Sequence, residues 1–173
     1  MFDNSLADEI EAASEAAFSE LFSVHPGKYY YCSLVTTGEA LPPVISAWSS
    51  EALRTEMAAT GLSEDMLKWS CVDSPYYAFG ENHFSVVREL FSDRVVGPEA
   101  EFEEWTDEYD VRMESMVEAM KRLDRKGLFG HGKARENVVL LVEVIPPDET
   151  NTDRARDLNA LAAIKEWLAE AAE

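Results

Sequence analysis

The 173-residue chain reads as one α+β domain, residues 1–173, in which an antiparallel sheet of few strands is covered by an N-terminal, a long central and a C-terminal helix. Three observations predict this. Two runs rich in branched and aromatic residues, 29–36 and Val44–Ser49, are separated by a short turn-forming stretch. From Phe102, apolar residues recur every three or four positions over about 25 residues. The segment 138–144 is almost wholly branched and apolar, as in a strand buried on both faces.

The first helix is predicted over 4–24. There Leu6, Ile10, Ala13, Ala17 and Leu21 follow one face of a 3.6-residue period, and Phe18 and Phe22 widen it. Asn4 or Ser5 is expected to cap it, and Pro26-Gly27 ends it. In 29–36, Tyr30, Cys32 and Leu34 alternate toward one side like a half-buried strand. Thr37-Gly38-Glu39 turns the chain into Val44–Ser49, giving an antiparallel hairpin despite Pro42-Pro43. Ser50 should cap a helix that turns Leu53 and Met57 inward and ends at Gly61 in a left-handed conformation. Residues 63–80 are the least regular, with Trp69, Tyr76, Tyr77 and Phe79 gathered around Pro75.

From Glu81 a helix presents Phe84, Val87 and Phe91 and must stop before Gly97-Pro98, while Pro98 suits the first turn of the next helix. That long helix carries the stripe Phe102, Trp105, Tyr109, Met113, Met116, Met120 and Leu123, of which Trp105, Tyr109, Met116 and Met120 are expected in the core. Its acids at the start and Lys121, Arg122, Arg125 and Lys126 at the end match the helix dipole. The apolar run 138–144 should be a central strand closed by Pro146-Pro147. A final helix capped by Asn151 or Thr152 carries Leu158, Leu161 and Leu168.

Charge narrows the function. With 34 Asp and Glu against 15 Lys and Arg, the net charge is −19. Such an excess opposes nucleic acid, whose binding needs clustered cations, and favours a basic protein partner. The longest apolar runs, 138–142 and 160–164, fall far below the roughly 20 residues of a membrane span. The first residues lack the cationic and apolar segments of a secretory signal, and two cysteines make no disulfide framework, so a cytoplasmic location is expected.

Several motifs suggest chemistry and fail on inspection. Residues 127–134 fit a phosphate-binding loop until Ala134, which has no hydroxyl for magnesium; the order helix, glycines, strand also inverts the context such a loop requires. Cys71, His83 and Asp73 could be drawn as a nucleophile, base and orienter, but the favoured reading is a small hydrophobe in an aromatic cluster and a helix-start histidine. His25, His83 and His131 lack metal-ligand spacing, and no cofactor is implied. Paired acids such as Glu103 and Asp107 abound by chance in so acidic a chain. A basic cluster, Lys121, Arg122, Arg125, Lys126, Lys133 and Arg135, makes the molecule dipolar.

One block stands apart. Glu99, Glu101, Glu103, Glu104, Asp107, Glu108 and Asp110 lie within twelve residues containing no base, with Trp105 and Tyr109 among them. Charge beside aromatic residues suits a protein interface, and these seven acids are the candidate partner-binding site.

The order of segments is also familiar. Residues 29–39, then Lys68-Trp69-Ser70-Cys71-Val72-Asp73, then Tyr77-Ala78-Phe79-Gly80-Glu81, then 120–130 with Leu123-Asp124-Arg125-Lys126-Gly127-Leu128-Phe129-Gly130, together resemble a bacterial domain-of-unknown-function family, number four-three-zero-three. Cys71 stands where that family usually has proline, and Ser74 where it usually has an aromatic residue. The resemblance brings no reaction and no site residues. It implies small proteins, some similar to immunity proteins encoded beside bacterial antagonistic toxins. The expected function is therefore a cytoplasmic immunity protein, not an enzyme, that occludes a cognate toxin through its acidic surface. The alternative is a small hydrolase or transferase working from Trp69 to His83.

Overall fold

A computed structural model of the chain describes residues 1–94, 96, 97, 99 and 101–172. The elements run α1 (Asn4–Val24), β1 (Tyr29–Thr37), β2 (Val44–Ser49), α2 (Ser50–Thr60), α3 (Glu64–Leu67), a 3-10 turn at Glu81–Phe84, α4 (Ser85–Asp93), α5 (Phe102–Arg125), β3 (Val139–Ile145), α6 (Glu149–Leu158) and α7 (Leu161–Glu170). The α+β class expected from the sequence is present. The placement of Pro98 lies outside the described residues.

The sheet itself differs from expectation. Its order is β2-β1-β3. β1 and β2 form the antiparallel hairpin, with Cys32 opposite Ala47 and Leu34 opposite Ile45, but β3 runs parallel to β1, so the sheet is mixed and β3 is an edge strand. A fully apolar strand carries no directional signal. The connection from β2 through α2–α5 is long enough to return the chain in either sense. A register shift between Tyr29 and Tyr31 also breaks the expected alternation. Tyr29 packs on one face of the sheet, whereas Tyr30 joins Tyr31 on the other.

Both faces are covered. On one, Cys32, Leu34, Ile45, Leu140 and Val142 pack against Ile10, Ala17 and Phe18 of α1, Val87 and Phe91 of α4, and Met116, Met120 and Leu123 of α5. On the other, Tyr31, Trp48, Val139 and Leu141 pack against Leu53, Leu67, Ala155, Ile164 and Trp167 from the remaining helices.

Helix ends show where local chemistry outranks the apolar pattern. Asp3, not Asn4 or Ser5, caps α1, its carboxylate accepting from the amides of Ser5 and Leu6. Ser49, not Ser50, caps α2, which ends as expected at a left-handed Gly61. The expected C-terminal helix is two helices, capped by Asp148 rather than Asn151 or Thr152 and broken at Asn159. The break has a cause. Asn159 accepts from the Leu140 amide at 2.9 Å and donates to the Leu140 carbonyl at 2.7 Å, so its amide mimics a neighbouring strand.

This packing sets the expected stability of three variants. Asn159→Ala strips both Leu140 groups of their partner and is expected to cost about 1–3 kcal/mol; Met120→Ala, in the fully buried stripe, about 2–5 kcal/mol. Phe102→Ser, by contrast, should stay within about 0.5 kcal/mol, because Phe102 is 85% exposed. Denaturant midpoints of the three variants check the order.

Candidate functional site

The start of α5 does not lie in the core. Met116 and Met120 are fully buried as expected, but Trp105 is 47% exposed and Tyr109 only half-buried. The apolar stripe is longer than the core beneath it, so its first turns project past the sheet.

What fixes this projecting segment is a buried arginine. Arg112 sits within the stripe, 8% exposed, with its guanidinium 4.8 Å from the centre of the Phe91 ring. It donates to the carbonyls of Arg94 (2.9 Å) and Phe91 (3.3 Å) at the end of α4, and to that of Ala40 (3.3 Å) in the β1–β2 turn. Its Nε also donates to Glu108 at 2.8 Å. Glu108 in turn receives a two-pronged contact from Arg94 at 2.9 and 3.0 Å, and Arg94 reaches Asp3 at 2.7 Å. One ion cluster thus ties together α1, α4, α5 and the hairpin turn. Arg94 and Arg112 escaped the sequence reading; the available signal was an arginine at the phase of an otherwise apolar stripe.

The seven acids of the block consequently divide. Glu108 is occupied within this cluster. Glu99, Glu101, Glu103, Glu104, Asp107 and Asp110 are all exposed, and none forms an ion pair among the described residues. Beside them, the hairpin turn, the end of α4 and the start of α5 enclose a groove of about 810 Å³ lined by Leu41, Pro42, Val96, Phe102, Trp105 and Tyr109.

The basic cluster is differently placed. Arg122 bridges Asp8, Glu11 and Glu118, Lys126 bridges Glu11 and Glu15, Arg125 meets Glu118, Lys121 meets Asp157 and Arg135 meets Asp124. All but Arg125, which pairs within α5, join that helix or its end to neighbouring segments, while Lys133 is exposed and forms no ion pair among the described residues. The glycines after α5 form its end and the loop into β3, with Gly127, Gly130 and Gly132 all at positive φ. The His131 ring lies so close over Gly127 that a Cβ there would sit 2.0 Å from it.

The Cys71, His83 and Asp73 trio is not assembled. Cys71 packs with Tyr31 and Trp48 on one face of the sheet, while His83 meets Glu20 of α1 at 2.6 Å on the other. Asp73 accepts from Ser70. Burial, then the nearby Glu143 charge, push the Cys71 thiol up to about 12, which keeps it protonated and unreactive. Glu143 was missed in the sequence: on β3 it is nearly buried and accepts from the Tyr31 hydroxyl, whose pKa burial and that charge hold well above the ordinary phenol value. The His25 ring lies tilted against that of Tyr76, with ring centres 5.1 Å apart. Among the described residues no group of three His, Cys, Asp or Glu could hold a metal ion, and no helix is long and apolar enough to cross a membrane.

The start of α5 thus forms one wall of an apolar groove and carries exposed acids beside it. The chain belongs to the domain-of-unknown-function family DUF4303, whose model matches residues 10–160. No curated protein and no solved structure matches it.

The ion cluster makes stability depend on pH. Burial raises the Glu108 carboxyl, but the hydrogen bonds and charges of Arg94 and Arg112 outweigh it and hold the pKa below the ordinary 4.5. A carboxylate depressed in this way stabilises the fold above its unfolded value and loses that contribution as pH falls through the folded one. Glu108→Gln should therefore cost about 1–3 kcal/mol at neutral pH, and its deficit relative to wild type should shrink below about pH 4.5. Urea unfolding of both proteins at about pH 7 and pH 3.5 is the check.

Proposed function

We propose that the protein is an acidic binding protein, most concretely an immunity protein that acts in the bacterial cytoplasm and occludes a functional surface of a basic cognate toxin with the first turns of α5. The observation that supports this is the pairing of unneutralised acids with exposed aromatic side chains. Glu101, Glu103, Glu104, Asp107 and Asp110 lack cationic partners among the described residues, and Phe102 and Trp105 lie exposed among them. Elsewhere on the same helix the acids and bases neutralise one another. Acid crowded on one surface repels itself, and a basic partner relieves that repulsion while being steered toward it. The mechanism is steric and electrostatic, and it needs no cofactor.

The test reverses Glu101, Glu103, Glu104 and Asp107 to lysine, leaving Glu108 in place because it holds the ion cluster together. Against the toxin encoded beside this protein's gene, the wild-type association rate should fall steeply between low and about 0.5 M salt, with dissociation changing much less. The reversed protein should keep its unfolding midpoint, associate more slowly and protect cells poorly. Equal association and equal protection would leave these acids as a solvated face.

A further inference from the structure

We infer that the groove beside α5 seats a short amphipathic segment of the partner, carrying bulky apolar side chains on one face and lysine or arginine along its flanks; this rests on the reading of the acidic surface given above. The groove is preformed. Arg112 anchors all three of its walls, and the turn at its lip is fixed by the Ala40 amide on the Thr37 carbonyl at 2.8 Å and the Gly38 amide on the Ile145 carbonyl at 3.2 Å. Its lining is apolar where a partner would enter, with Leu41 44% exposed beside Phe102 and Trp105. From Phe102 to Tyr109, at roughly 1.5 Å per residue, the α5 wall spans roughly 10 Å, enough for two turns of a docked helix.

Charge selects the occupant. Glu39 and Asp148 lie at the groove, and the exposed acids Glu101, Glu103, Glu104, Asp107 and Asp110 continue the negative charge along the outer side of the α5 wall. An acidic rim around an apolar trough excludes anionic lipid and nucleic acid. It also disfavours a second copy of this chain, which would bring the same acids and a charge of −19 against them. A cationic amphipathic segment satisfies both features, its apolar side chains setting dissociation and its charges setting association.

The experiment uses the full chain and three fluorescent peptides of roughly 14 residues, about four helical turns: a leucine/lysine amphipathic helix, its leucine/glutamate counterpart, and a glycine/lysine peptide of equal charge. The leucine/lysine peptide should bind about tenfold or more tighter than either control, and Phe102→Ser with Trp105→Ser should weaken it about tenfold through faster dissociation. Glu39→Lys, Glu103→Lys and Glu104→Lys together should slow association severalfold. All substituted side chains are exposed, and unchanged unfolding midpoints confirm that the variants fold. Equal binding of either control peptide, or undiminished binding by the double serine variant, would overturn the inference. Cell protection separates it from the wider reading: a double serine variant that still protects, while the acid-reversed protein fails, removes the groove and leaves the acidic surface. Groove-dependent peptide binding by a protein that gives no protection leaves the groove and removes the immunity role.

Discussion

A three-stranded sheet has two open edges, and every buried backbone group on them must find a partner. This constraint organises much of the structure. Along β3 the partners are side chains: Asn159 pairs with Leu140, Arg154 donates to the Val142 carbonyl at 2.8 Å, and Asn151 accepts from the Val144 amide at 2.8 Å. Alternate residues of the strand are thus met by successive positions from α6 to its end, so a helix closes an edge that another strand would otherwise seek. Along β2 the irregular segment after α3 serves the same purpose. The Ala78 amide donates to the Ile45 carbonyl at 2.9 Å and the Ser74 hydroxyl to that of Ala47 at 2.5 Å. Trp48 and Ser46 reach back to the carbonyls of Ser70 and Cys71 at 2.8 and 2.7 Å. The aromatic stretch from Trp69 to Phe79 is accounted for as a cover for the sheet, which weakens its claim to be a reaction centre.

Closing the edges with helices creates a second demand, since an acidic chain must hold acidic helices together. The scarce cations are spent there. Arg122 and Lys126 fasten α5 to α1, Lys68 holds Glu166 at 2.5 Å and Glu170 at 3.0 Å on α7, and Arg94 joins Asp3 to Glu108. Individually such surface pairs add little stability. Collectively they decide where charge is cancelled, and the start of α5 is left with acids and no bases.

What could be read in the sequence follows from which features are local. The periods of α1, α2 and α5 and the β1–β2 hairpin are encoded by neighbours a few residues apart, and they stand as expected. The direction of β3 is not local: Val139–Ile145 is apolar whether it lies at the centre or the edge, parallel or antiparallel. The split between α6 and α7 depends on Asn159 meeting Leu140 nineteen residues away. Trp105 and, in part, Tyr109 were misplaced because a stripe reports only that one helix face is apolar, not how far the core beneath it extends. Among the seven acids, Glu108 has a local mark in Arg112 four residues on, but its second partner, Arg94, is brought to it only by the fold.

Those misplacements bear on function. A large aromatic side chain left in water does nothing for the fold, and an acid without a cation beside it adds repulsion. At the start of α5 both occur together beside the groove: Phe102 is 85% and Trp105 47% exposed, among acids that form no ion pair among the described residues. Arg112 sharpens the point, because its buried hydrogen bonds hold the groove open rather than letting the hairpin turn collapse onto Phe102 and Trp105. The requirements of the fold therefore account for the buried half of α5 and leave Phe102 and Trp105 of its first turns without a place in the core.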